Sequence, residues 1–265
     1  MNTLIIIYLR RFTNKEDGTR FEEKISIKKM DFPKNKRVFW IHAASIGETN
    51  SVFPLISKLV KDNDNIFILL TSTTLSASQL IERQKFNKNN IQHRFLPLDV
   101  KFLVNKFINH WEPEIVIFVD SEVWPNYLLE ISKRKIPLVL LNGRITMKTF
   151  KRWKLVSRLS LKLFSLYDLC LSSSKESEKN LKSLGAKNVK FFGNLKFCAN
   201  INSQKKSIDL KSIFIKHNIW CAASTHPDEE EVIFKTHILF VRNCLNMNPH
   251  SVRNSVIPLQ DDVEG

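Results

Sequence analysis

From Val38 to Lys196 short apolar runs alternate with amphipathic segments, one pair about every 20 to 35 residues. The runs Val38–Ala43, Ile66–Leu70, Arg94–Leu96, Ile115–Val119, Leu138–Leu141, Leu169–Leu171 and Val189–Phe192 read as strands. Between them, about Glu48–Asp62, Leu75–Lys85, Val100–His110, Pro125–Lys133, Met147–Leu166 and Ser174–Leu184 carry apolar residues at helical spacing. Ile115–Val119 is apolar throughout, as a strand buried on both faces of a parallel sheet must be. The pattern predicts a doubly wound α/β domain. Ligands of such sheets bind at the carboxyl ends of the strands, so the residues just after each run carry the chemical interest.

Five strand ends stand out. The first is Trp40-Ile41-His42-Ala43-Ala44-Ser45-Ile46-Gly47-Glu48, an expected strand, a turn at Gly47, and a carboxylate on the first turn of the next helix. Glu48 is either a chemical group facing a ligand or a helix-start acid favoured by the helix dipole. Thr71-Ser72-Thr73-Thr74 offers hydroxyls suited to capping a helix or to binding phosphate. Asp120-Ser121-Glu122-Val123-Trp124-Pro125 places two more carboxylates at a strand end; Asn142-Gly143-Arg144 and Gly193-Asn194-Leu195-Lys196 complete the set.

The net charge of +15, from 41 Lys and Arg against 26 Asp and Glu, favours anionic partners: nucleic acid, phosphorylated substrates or an acidic membrane surface. No nucleic-acid-binding motif accompanies it. Cys170, Cys198, Cys221 and Cys244 stand singly, which argues against a zinc site and suits reduced thiols. The apolar run Leu4–Leu9 is far short of the roughly 20 residues that span a bilayer, and no cleavage site follows it. Residues 12–36 are dense in charge and read as a mostly helical surface segment. Lys148–Lys162 reads as a basic amphipathic helix, with Phe150 and Trp153 among its lysines and arginines, suited to an anionic surface or to the solvated outside of the domain.

The expected organisation is a membrane-proximal lead-in over residues 1–37, a Rossmann-like domain over 38–198, a polar linker over 199–218, and the start of a second α/β unit over 219–265. That unit shows a strand from about Trp220, the stretch Ser224-Thr225-His226-Pro227, and a helix opening on Asp228-Glu229-Glu230-Glu231. Asn243–Gly265 loses periodicity. One strand and one helix are too little to bury a core, so either the chain is a fragment or another chain supplies the rest.

Six ordered motifs resemble the 3-deoxy-D-manno-octulosonic acid (Kdo) transferases of Gram-negative bacteria: Trp40 through Glu48, Phe95-Leu96-Pro97-Leu98-Asp99, Asp120 through Asn126, Leu141 through Arg144, Gly193 through Phe197, and Ala222 through Glu231. The resemblance spans about Ile7 to Phe240 and implies a GT-B glycosyltransferase, with an acceptor domain followed by a domain that binds CMP-Kdo. It implies inverting, metal-independent transfer of Kdo to lipid IVA, the tetraacyl-disaccharide 1,4'-bisphosphate of lipopolysaccharide biosynthesis, at the cytoplasmic side of the cell inner membrane. No cofactor is implied beyond the sugar-nucleotide substrate. Glu48 matches the family's general base; Glu122 and Lys196 match residues that support the transition state. Ser45, Gly47, Asp120, Arg144, Asn194, Ser224, Thr225 and His226 fall in the matching motifs as expected substrate-binding residues. The alternatives within this frame are a helix-capping role for Glu122 and a surface charge at the domain edge for Lys196.

The sequence departs from the family at Asp120, which replaces the first acid of a Glu-x-Glu pattern, at Ala44 and Ile46, and in the reduced amino-terminal anchor. The Pro-Arg-His-Pro-Glu-like, glycine-rich and Asn-Glu segments that hold CMP in the family have no counterpart. Two expectations follow: a transferase whose activity suffers from an incomplete donor domain, or a non-catalytic lipid A- or membrane-binding module left by a decayed gene.

Overall fold

The computed structural model describes residues 17–198, apart from 19, 27–31, 85 and 88, and residues 229–245. The chain divides into two compact units, Met1–Ile201 and Asn202–Gly265. In the first, seven parallel strands form one sheet: β1 (Arg37–His42), β2 (Ile66–Ser72), β3 (Ile91–Phe95), β4 (Ile115–Val119), β5 (Leu138–Gly143), β6 (Leu169–Ser172) and β7 (Val189–Phe191), in the order β3-β2-β1-β4-β5-β6-β7. The connecting helices are α1 (Ile46–Asp62), α2 (Leu75–Arg83), α3 (Lys101–Trp111), α4 (Pro125–Lys133), α5 (Met147–Leu155), α6 (Ser157–Phe164) and α7 (Lys175–Leu184). The chain winds outward one way from β1 and the other way from β4. These two strands are neighbours, in register from Phe39 opposite Ile115 to His42 opposite Phe118. Their carboxyl ends bound the crevice where doubly wound sheets hold ligands.

The period of two along each strand sorts the core into two layers. Val38, Trp40, Phe67, Leu69, Val116, Phe118, Leu138 and Leu140 face Phe107, Trp111, Tyr127, Ile131, Phe164 and Leu181 of α3, α4, α6 and α7. Ile41, Ala43, Ile66, Ile68, Leu70, Val119 and Leu141 face Val52 and Ile56 of α1 and Ile81 of α2. Every residue of β2 is buried, as its continuous apolar run implies.

Several expected boundaries move. β2 continues through Thr71 and Ser72, β3 starts at Ile91, and α2 stops at Arg83. The single helix expected over Met147–Leu166 is two, broken at Val156, whose φ of −117° and ψ of 47° leave the helical region. Among the described residues of the lead-in, the expected helix is one short 3-10 turn, Phe21–Lys24. A charged clamp fastens this turn to the sheet. Glu23 accepts from Arg20 Nε at 2.9 Å, Arg94 Nη1 at 2.7 Å and Phe95 N at 3.0 Å. Burial, with Arg20 and Arg94 beside it, pushes His93 down to about 3, so its ring is neutral between Arg20 and Ser72 Oγ.

In the second unit a helix, α8 (Glu229–Leu245), forms where the acidic stretch was expected to open one. The expected linker over 199–218, the strand near Trp220, the site candidates Ser224, Thr225 and His226, and residues 246–265 lie outside the described residues. Among the described residues no helix is long and apolar enough to cross a membrane.

Candidate functional site at the crevice between β1 and β4

β1 ends at His42, and the chain turns into α1 through Ala43, Ala44 and Ser45. Ser45 is extended and caps the helix; its Oγ accepts from Glu48 N at 3.5 Å while donating to Glu48 Oε1 at 2.7 Å. Glu48 Oε2 accepts from Ala44 N at 2.8 Å. This is a variant of the capping box, with the N3 acid reaching the N–H of the residue before the N-cap, so Glu48 does stabilise the helix start. A carboxylate offers about four lone-pair positions and these two bonds occupy one on each oxygen, which leaves capacity to accept a further proton. The same side chain can therefore hold the helix start and still accept a proton.

The loop is held from the neighbouring strand end. Thr73 Oγ1 and Thr74 Oγ1 both donate to Ala44 O, at 3.1 and 3.2 Å, and Thr74 also caps α2 by accepting from Ala77 N. Lys24 Nζ donates to Thr73 O at 2.9 Å. The hydroxyl-rich end of β2 is thus used for capping and for steadying the Glu48 loop. The expected turn at Gly47 is not there: the turn is made before it, and Gly47 lies in the first turn of α1 without a positive φ. A Cβ on Gly47 would make only ordinary contact with Lys196, 3.7 Å from its Nζ, which places the lysine end over the first turn of α1.

The carboxyl end of β4 supplies the opposite wall. Asp120 adopts the left-handed conformation, φ 66°, which turns the chain sharply out of the strand. Ser121 Oγ donates to Arg144 O at 2.6 Å, tying this turn to the end of β5. Glu122 does not cap α4, whose N-cap is Trp124 without a side-chain bond. Instead Glu122 Oε2 accepts the Trp124 indole N–H and lies 3.4 Å from His42 Nε2, and its carbonyl accepts from Tyr167 Oη at 2.7 Å. The amino end of α4 is held by Asp99, which accepts from Asn126 N and Tyr127 N, so the Pro97-Leu98-Asp99 motif is a scaffold for the Glu122 turn.

Lys196 arrives from far along the chain through a second left-handed residue. Asn142, φ 58°, sits at a bulge in β5 and its Oδ1 accepts from Leu195 N at 2.9 Å. Gly193, φ 98°, turns the chain after β7, and Asn194 Oδ1 accepts from Lys196 N at 3.0 Å. Lys196 is exposed, yet its ammonium lies over Gly47 and lowers the proton affinity of Asp120. Arg144 is exposed at the end of β5 and acts on Asp120 in the same sense.

The electrostatics follow from this crowding. Burial pushes the Glu48 carboxyl above the ordinary range, the Ser45 and Ala44 hydrogen bonds oppose it, and the nearby charges of Glu122 and Asp120 add to the rise. Asp120 is likewise raised by burial, against the pull of Arg144 and Lys196. A raised carboxyl is a better proton acceptor at neutral pH than an ordinary one, provided it remains ionised.

The structure thus brings Ser45, Gly47, Glu48, Asp120, Glu122, Arg144, Asn194 and Lys196 to one end of the sheet. His42 was missed in the sequence, where it sat unremarked inside the first motif, and Asn142, noted only as part of a strand end, has a left-handed bulge that carries Leu195 and therefore Lys196.

A family model described as 3-Deoxy-D-manno-octulosonic-acid transferase (kdotransferase) matches residues 19–199. Among curated relatives, the "Probable 3-deoxy-D-manno-octulosonic acid transferase, mitochondrial" of Arabidopsis thaliana is 32% identical, over 92% of this chain and 55% of its own length. The 3-deoxy-D-manno-octulosonic acid transferase of Rickettsia bellii is 32% identical over 86% of this chain and 54% of its own length. That of Haemophilus influenzae is 31% identical over 75% and 47%. The chain spans about half the length of the curated relatives it matches. Among solved structures, the S. aureus MnaA-UDP co-structure has a TM-score of 0.51 at 14% identity, covering 78% of this chain and 60% of that one. That likeness concerns the fold, and it agrees with the expected α/β, GT-B-type architecture. On the family match over residues 19–199, this chain belongs to the 3-deoxy-D-manno-octulosonic-acid (Kdo) transferase family.

Proposed function

We propose that this chain serves the transfer of Kdo from CMP-Kdo to a hydroxyl of lipid IVA, with Glu48 as general base. The observation that carries the reading is the placement of Glu48 and Glu122 on either side of the β1–β4 crevice, with Lys196 over Gly47 and close enough to act on Asp120. A sugar hydroxyl is a weak nucleophile. As its oxygen forms a bond to the anomeric carbon of Kdo, its proton passes to Glu48, and the bond from that carbon to the CMP phosphate oxygen breaks with the electron pair leaving on CMP. Attack from the face opposite the leaving group inverts the anomeric centre. Lys196 offsets negative charge developing on the phosphate, so the step needs no metal, and Glu122 stabilises positive charge developing on the sugar.

A bisphosphorylated, acylated acceptor resides in an anionic membrane, and we place the chain at the cytoplasmic face of the inner membrane. The support is the basic α5–α6 surface. Its apolar contribution differs from the expected one: Phe150 and Trp153 lean on the core, Trp153 edge-on to Phe164, and the exposed apolar side chains are Met147, Leu155, Val156, Leu159 and Leu161. They sit among Lys148, Lys151, Arg152, Lys154, Arg158 and Lys162. Such a surface attracts acidic headgroups and inserts shallowly.

The experiment is incorporation of labelled Kdo from CMP-Kdo into lipid IVA by the purified chain, beside equilibrium binding of lipid IVA alone. Incorporation supports the transferase. Saturable acceptor binding without incorporation favours an acceptor-binding module, and the absence of both removes the reading.

A further inference from the structure

His42 closes β1, and its ring is fully buried. Its Nε2 makes no hydrogen bond, and the Glu122 Oε2 atom lies 3.4 Å away. Buried polar nitrogens are rarely left so, and this one faces a carboxylate of the crevice.

The hydrogen-bond chain behind the ring decides which nitrogen carries the proton. Trp40 Nε1, which can only donate, donates to Thr71 Oγ1 at 2.8 Å. The Thr71 hydroxyl hydrogen then has two acceptors in reach, His42 Nδ1 at 2.9 Å and Ile41 O at 3.5 Å. With the Thr71 hydrogen on the nearer acceptor, Nδ1 accepts and Nε2 is the ring nitrogen left to donate toward Glu122. The opposite tautomer would aim a lone pair at the carboxylate oxygen. Phe118 and Trp124 flank the ring edge-on, with centroids 5.5 and 6.2 Å away, so it has little freedom to turn. Among the described residues, both donors near the Glu122 carboxylate, His42 Nε2–H and the Trp124 indole N–H, converge on Oε2.

We propose that His42 is a positioning residue for Glu122: its Nε2–H and the Trp124 N–H clamp one carboxylate oxygen and leave the other free for the sugar. A carboxylate rotation that shortens the contact by about 0.5 Å brings Nε2–H into ordinary hydrogen-bond range. The proposal rests on the reading of Glu122 as a group that acts in Kdo transfer.

Nitrogen NMR of the histidine side chains in the full chain tests the geometry. His42 should show its hydrogen on Nε2; Glu122→Gln should shift that nitrogen, and Thr71→Val should shift Nδ1. The side-chain carboxyl carbon resonance of Glu122 should move in His42→Phe and return toward the wild-type position in His42→Gln, whose amide reaches the place of Nε2, but not in His42→Asn. In the transfer assay His42→Phe should lower kcat about 10- to 100-fold with KM changed less than about threefold, and His42→Gln should recover most of the loss. A hydrogen on Nδ1, or a Glu122 resonance indifferent to residue 42 in folded variants, overturns the proposal. Intact His42–Glu122 coupling with transfer unaffected by Glu122→Gln would instead overturn the functional reading of Glu122.

Discussion

Glu48 and Glu122 repel each other across the crevice between β1 and β4, and the repulsion adds to burial in raising the Glu48 carboxyl above its ordinary range. Each is held by donors from its own surroundings: Ala44 N–H and Ser45 Oγ–H for Glu48, the Trp124 indole for Glu122. Two like charges so placed bias one of them toward accepting a proton, the requirement for a base that works near neutral pH.

Neutralising Glu122 should therefore lower the Glu48 titration midpoint. In carbon NMR titrations Glu48 is expected to ionise above the usual glutamate range in the wild type and at lower pH in Glu122→Gln. Stability follows with a definite sign. Because the folded carboxyl binds its proton more tightly than the unfolded one, folding is favoured at low pH, and the advantage is lost as pH rises through the folded midpoint. The stability of the wild type relative to Glu48→Gln should fall as pH rises from the ordinary glutamate range through the raised folded midpoint. A flat or rising difference in urea melts would contradict the raised value.

Ser45→Ala removes one half of the capping box. It should destabilise the fold by about 1 kcal/mol, the ordinary worth of such a cap. The Ser45 bond also stabilises the charged form of Glu48, so its loss should raise the Glu48 midpoint further. Chemical denaturation and the same titration read the two effects separately.

The break between α5 and α6 presents leucines and basic side chains together. Charge reversal of Lys151, Arg152 and Lys154 should weaken binding to anionic vesicles at least 100-fold, on the basis of about 1 kcal/mol per basic residue near an acidic surface. Binding to neutral vesicles should change little. Unaltered affinity for anionic vesicles would remove this face from the account.

Gly185 ends α7 with φ 113°, and a Cβ there would meet Leu161 Cα and its carbonyl oxygen at 2.8 Å. Gly185→Ala combines a left-handed backbone with a clash against main chain that no rotamer relieves. A loss of more than about 2 kcal/mol is expected in denaturant melts.

Most of the sheet was legible because a strand buried on both faces must be apolar throughout, as Ile115–Val119 is. The break at Val156 was not, since Phe150, Trp153, Leu161 and Phe164 keep a helical spacing across it. Nor does spacing say which side of α5 meets the domain, and Phe150 and Trp153 turned inward. At the site, Glu48 could be read from its place after β1. Its nearness to Glu122 could not, because strand adjacency across a switch point follows from winding direction rather than chain order. His42 shares the face of Trp40 by the period of two, so its burial was readable. Its partner, which comes from β4, was not. Lys196 depends on two left-handed residues, Asn142 and Gly193, of which only the glycine advertises its conformation.

The central claim is that Glu48 takes the proton of the acceptor hydroxyl. Labelled Kdo incorporation by Glu48→Gln, with lipid IVA binding measured on the same preparation, tests it most directly. The account predicts that incorporation falls at least about 100-fold while acceptor affinity stays within about threefold. Incorporation equal to that of the wild type, with the capping bonds to Ser45 and Ala44 the only things lost, would contradict it.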